Sequence, residues 1–224
     1  MNYFAHGCDF IDDPYFLAGT AVPDWLQMLD RRIRARSKYA LPLADESIEP
    51  VAALARGILQ HHHDDAWFHQ SRAFVELSMQ FTATVSEECP SDDGFRPSFL
   101  GHILVELLLD AELIDQDPRR LDLYYEAIDS VDPELVAEVV SRMTARKADR
   151  LAWLIGRFSE ERFLSDYSND AKLVVRLNQV MRRVKLPSLP DSFCKVLPGA
   201  RQQIRSRMNE LLERPTIPDL GDTP

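Results

Sequence analysis

Two sets of side chains with metal-ligand chemistry recur at helical spacing. His61, Asp65 and His69 stand four residues apart, and so do His102, Glu106 and Asp110. Four residues advance an α-helix by about 400°, so each set falls on one narrow stripe. The second set interrupts an otherwise apolar run, Phe99 to Ala111, which reads as a helix buried on nearly all sides. A buried carboxylate is costly unless it is paired or binds a cation. Imidazole with carboxylate suits zinc, manganese or iron, and no thiolate is needed.

The first set grows out of an apolar face. A helix is expected from Ser47 through Pro50 to at least Gln70, with Val51, Leu54, Ala55 and Ile58 facing inward. At ~100° per residue that face continues through His61 or His62, then Asp65, then His69. His63 and Asp64 are expected to point away, so His61 with Asp65 is preferred over the literal His63-Asp64 pair. Two helices that each present a His/carboxylate stripe from the core face are how a helical bundle builds an internal metal site. His102 and Glu106 are read as ligands, and Asp110, two turns from His102, as a support or wall of the site. The rest of the constellation is weaker. All six histidines lie in the first half of the chain, His6 among them. Asp24 is either a site residue or an acid in the first turn of a helix opening at Pro23. Arg72 extends the His61 stripe and can meet a phosphate, or pair with Glu76.

Helical signals account for the other elements. A short lead over residues 1–13 precedes a helical segment from Pro14 to about Arg36 with a basic tail, and a loop over residues 37–46. A helix from Arg72 to about Val85 is continuous with the one before it or kinked near His69. A polar loop over residues 86–97 leads to the buried helix. Further helices are expected from Pro118 to about Ser130, from Pro133 to Phe158 and from Ser159 to about Val184. Residues 185–198 are too rich in proline for regular structure. A last helix, Gly199 to Glu213, precedes a proline-containing tail. No strand alternation, hairpin signal or repeat is visible. The class is all-α, a bundle of about 7–9 helices with the metal site inside. Residues 1–184 are expected to form a hydrolase-like domain, with residues 185–224 packing on it.

The 224 residues carry a net charge of −10, which argues against general nucleic-acid binding. It leaves open an enzyme that neutralises one phosphate with metal ions. Cys8, Cys89 and Cys194 show no ligand-like spacing and read as reduced thiols. No signal peptide and no apolar span of ~20 residues is apparent, so a soluble cytoplasmic protein is expected.

Met1-Asn2-Tyr3-Phe4-Ala5-His6, Gly19 followed by Asp24, and Gly57-Ile58-x-x-His61-x-x-x-Asp65 resemble the opening motifs of the acyl carrier protein phosphodiesterase family. That family is helical and related to the HD-type phosphohydrolases. The resemblance covers about the first half of the chain, and departs at His69, His102 and Glu106. It implies a divalent metal, typically manganese, and a phosphopantetheinyl carrier protein or small phosphodiester as substrate. The order of histidines and acids is also similar to that of zinc-dependent phospholipase C and its nuclease relatives. This second resemblance implies His6, Asp24, His61, Asp65, His69, His102 and Glu106 as ligands, with Asp65 bridging. Residues 25–60 lack a further histidine of that pattern, which implies one or two ions rather than three. Those relatives also use their mature amino terminus as a ligand, a role not expected of a chain opening on methionine.

The function expected is metal-dependent hydrolysis of a phosphoester by activated water. Asp24 and Asp65 are the catalytic candidates, and Asp110 is another group able to orient the water. The competing reading is a non-catalytic helical protein with a structural metal site or a buried His/carboxylate network.

Overall fold

A computed structural model describes residues 1–30, 32–89 and 94–214. Arg31 of the expected basic helix tail, residues 90–93 of the expected loop and the tail 215–224 lie outside the described residues. All regular structure among the described residues is helical, and nine helices have eleven residues or more. The all-α class is therefore correct.

Two packed helix pairs make the frame. Helix α2 (Pro14–Leu29) lies on α4 (Glu49–Phe68), and α5 (Arg72–Glu88) lies on α6 (Pro97–Gln116). The short helix α1 (Tyr3–Gly7) touches α2, α4 and α6, and so ties the pairs together. A four-residue helix, α3 (Ser37–Ala40), packs on α4. On the α2 side stand α7 (Pro118–Asp129) and α9 (Leu151–Glu161), with α8 (Pro133–Thr144) against α9. A 3-10 segment, Phe163–Ser168, joins α6 to α10 (Asp170–Arg183), and α11 (Leu197–Leu212) packs on α5 and α6. Leu104, Leu108 and Leu109 of α6 are fully buried, as its apolar run requires. No helix among the described residues is long and apolar enough to cross a membrane.

Four expectations about helix limits need correction. Pro23 does not open a helix but lies inside α2, which Asp13 caps by accepting the Phe16 N–H at 3.1 Å. Asp24 is therefore not a first-turn acid. The same helix stops at Leu29 rather than Arg36, because Asp30 turns extended and its carboxylate takes the Arg32 N–H at 2.9 Å. The long helix expected from Pro133 to Phe158 is two helices, broken at Ala145 with φ 51°. Side chains satisfy that break, since Ser141 Oγ accepts the Ala148 N–H at 2.8 Å. The helix expected from Ser159 starts only at Asp170, after Arg162 takes φ 42° with its guanidinium over the Tyr125 ring. Neither break contains glycine or proline, so nothing local announced it.

Candidate metal centre

Close helix approach builds the first half of the site. Gly19 of α2 and Gly57 of α4 meet face to face, and a Cβ on Gly57 would overlap the Phe16 carbonyl oxygen. That contact lets His61, one turn beyond Gly57, reach the Thr20 carbonyl with Nδ1 at 2.8 Å. A carbonyl only accepts, so Nδ1 carries a proton and Nε2 is the ring nitrogen turned to the site. Nε2 lies 3.4 Å from Asp65 Oδ2. His6 arrives from α1, with its ring stacked on His61 at 4.1 Å between centroids. Its Nε2 is 3.2 Å from Asp65 Oδ1 and its Nδ1 is 3.5 Å from Asp64 Oδ2. Both ring nitrogens are buried without hydrogen-bond geometry. Buried polar atoms are rarely left so, and a cation between His6, His61 and Asp65 would answer it for Nε2, the nitrogen that faces Asp65.

The second half lies across the α4–α5 corner. His69 ends α4, and Ser71 starts α5 by accepting the Phe74 N–H at 3.2 Å, which settles the expected kink. His69 Nε2 lies 2.8 Å from Glu106 Oε1, and His102 Nε2 lies 3.4 Å from the same oxygen. One donor atom each from His6, His61 and Asp65 falls within 4.8 Å of the others, and the same holds for His69, His102 and Glu106. Asp65 Oδ1 stands 4.0 Å from His69 Nε2, between the two groups.

Asp24 belongs to neither group. It lines the adjoining cleft, and burial raises its carboxyl above the ordinary value despite the nearby His61 and His6. The amino group of Met1 was not expected at the site, yet it stands at its centre. It lies 2.8 Å from Asp65 Oδ1 and 3.1 Å from Glu106 Oε1. Burial works against both carboxylates. Contacts from His6 and His61 and the Met1 charge nevertheless hold Asp65 far below the usual range. Met1, His102 and His69 do the same for Glu106.

Two further placements differ from the expectation. Arg72 is 88 % exposed and its Nε donates to Glu76 at 2.7 Å, so it takes no part in the site. Asp64 does not point away. It is fully buried, accepts from Gln60 Nε2 at 2.9 Å and faces His6, because α1 covers that flank of α4. Asp110 touches none of the ligand candidates. It accepts the N–H groups of Phe4 at 3.0 Å and Ala5 at 2.7 Å and the Asn2 amide at 2.8 Å, and so holds the helix that carries His6. Its contact with His6 is indirect, through the backbone of α1. Exposed His63 does point away, as expected.

Two cavities open beside the ligands, of about 870 Å³ and 670 Å³, and Asp65, Arg96 and Phe99 border both. The larger is walled in part by Trp153, Phe158, Arg176 and Val180, from a half of the chain without a recognisable motif. Only long-range packing brings those residues to the ligands. No protein-family model, curated protein or solved structure matches the chain.

Proposed function

We propose that this protein is a metal-dependent hydrolase of phosphodiesters. The observation that carries the reading is the pair of His/carboxylate groups meeting at Asp65 on the wall of a cleft. The donors are nitrogen and oxygen only, which suits zinc or manganese, with iron a further fit. His6 and His61 would hold one ion, His69, His102 and Glu106 a second, and Asp65 would serve both. When bound, such ions lower the pKa of a water molecule towards neutrality and offset phosphoryl charge.

The protein's own groups do the rest. Thr20 fixes the His61 tautomer, and Asp64 and Asp110 hold His6 in place. Asp24, with its raised carboxyl at the cleft, is placed to take the proton as the water oxygen joins phosphorus. One P–O ester bond breaks and the departing oxygen takes up a proton, leaving a phosphomonoester and an alcohol. The order of ligands in the sequence, which resembles zinc-dependent phospholipase C, supports the same chemistry.

A second reading has one specific observation behind it. The Met1 ammonium already lies against Asp65 and Glu106, so a buried charge network without turnover is the rival. Metal content after purification in chelator-free buffer, followed by hydrolysis of bis(p-nitrophenyl) phosphate with Zn²⁺ or Mn²⁺, separates the two. Bound metal with turnover is expected. A metal-free protein that neither binds added ions nor hydrolyses the diester would leave the network reading.

A further inference from the structure

Among the described residues, four arginines and four acids border the larger cavity, and the arginines are of two kinds. Arg157 is paired with Glu160 and Glu161, and Arg176 with Asp166. Arg96 and Arg183 are exposed and make no ion pair or hydrogen bond among the described residues. They come from different helices, Arg96 from just before α6 and Arg183 from the last position of α10. The acids of the cavity are otherwise engaged. Asp65 and Glu106 face Met1 and the histidines, and Glu161 faces Arg157. Burial keeps Asp24, the remaining one, above its ordinary value and so favours its uncharged form. Arg96 also borders the smaller cavity, together with Gln27, Asp65, Phe99 and Val184, and therefore stands where the two cavities join. Arg183 precedes Val184 at that junction. Burial pushes the Tyr3 phenol up, the Asp24 charge adds to the rise and the Arg183 charge opposes it, so both groups stand near Tyr3. Arg36 borders the smaller cavity alone.

Resting on the phosphodiesterase reading, we infer that Arg96 and Arg183 are its substrate-binding residues, which take the unesterified oxygens of the phosphodiester anion at the junction beside Asp65. A guanidinium presents a fixed fork of N–H donors that matches two oxygens on one phosphorus. Arg72, the arginine whose helical position suggested this role, is spent on Glu76 outside the site. Specificity follows from the charge. A diester brings an anion that answers both unpaired guanidinium groups, whereas a neutral phosphotriester leaves them unanswered and is selected against.

Calorimetry in Mn²⁺-containing buffer tests this with diphenylphosphinate as the anion and methyldiphenylphosphine oxide as its neutral counterpart. Both carry only P–C bonds to their organic groups and resist hydrolysis. The wild-type protein is expected to bind the anion at least ~10-fold tighter than the neutral compound. Arg96→Gln and Arg183→Gln are each expected to weaken the anion by ~10-fold, with metal content and melting temperature unchanged. Arg157→Gln, which removes a paired guanidinium from the same wall, is expected to change that affinity by less than about 2-fold. Wild-type affinity for the anion in either Arg96→Gln or Arg183→Gln overturns the inference. So does an equal loss in Arg157→Gln, an equal loss for the neutral compound, or a wild-type protein that does not bind the anion. Hydrolysis of bis(p-nitrophenyl) phosphate by the same proteins keeps the two conclusions apart. Turnover with an unchanged KM in Arg96→Gln and Arg183→Gln removes this inference alone. A selective loss of anion binding, without turnover by the wild-type protein, removes the hydrolase reading and leaves the anion site standing.

Discussion

At Asp65, two imidazoles and an ammonium group converge on one carboxylate. Asn keeps the size but loses the charge and one acceptor oxygen. Asp65→Asn is expected to lower metal affinity and diester hydrolysis by ~100-fold or more, read by metal analysis and initial rates. Equal rates would remove Asp65 from the mechanism. Asp110 acts at one remove. Asp110→Ala would strand the Phe4 and Ala5 N–H groups and cost about 2–3 kcal/mol in urea unfolding, with metal affinity falling as His6 shifts. Its pH signature has an unusual sign. Burial outweighs the Phe4 and Ala5 N–H groups and pushes its carboxyl up to about 6 from an ordinary value of 3.8. The folded state thus holds this proton more tightly, and the Asp110 contribution to stability falls as pH rises from about 4 to about 6. Asp110→Asn, which keeps an acceptor but cannot titrate, should remove that downward slope from a urea-midpoint series.

Helix contacts decide whether these residues meet. The Gly19–Gly57 crossing sets the distance between α2 and α4, and with it the His61 to Thr20 bond. Gly57→Ala would force the helices apart against the Phe16 carbonyl. Overpacking of that kind costs about 1–3 kcal/mol, and a lower melting temperature together with weaker metal binding is the expected outcome. An unchanged metal affinity would show that His61 does not depend on this crossing. At this scale the sequence was legible where a proline stands in the first turn of a helix that follows a polar stretch. The start of α6 near Pro97 and of α7 at Pro118 followed from local signals alone. The breaks at Ala145 and Arg162 did not, because non-glycine residues adopt positive φ there under tertiary constraint. Pro23 misled because proline inside a helix is rarer than proline at its start.

For the whole molecule, the proposed metal would be coupled to folding, since the unfolded chain does not hold these residues together. Zn²⁺ or Mn²⁺ at ~100 times its dissociation constant should add about 2.7 kcal/mol by mass action. The check is a rise in melting temperature that a chelator reverses. No shift with either ion would count against the metal reading. Without added metal, Asp65 and Glu106 are held below their ordinary values of 3.8 and 4.5, where burial is outweighed by histidine contacts and the Met1 charge. Their contribution is present above those values and is lost as pH falls below about 4. Replacing either carboxylate by its amide should flatten that acid limb of the stability curve.

The spacing of His61, Asp65 and His69, and of His102 and Glu106, was sufficient to pick out two His/carboxylate stripes and an all-α frame, because a helix converts four-residue intervals into one face. It could not show that Asp64 turns inward, since burial on the flank of a stripe depends on whether another element, here α1, covers it. Nor could it place Arg72 outside the site, Arg36 and Arg96 beside it, or Asp110 beneath α1. Those assignments join residues up to 108 positions apart. They depend on how helices pack, and only the tertiary structure decides that.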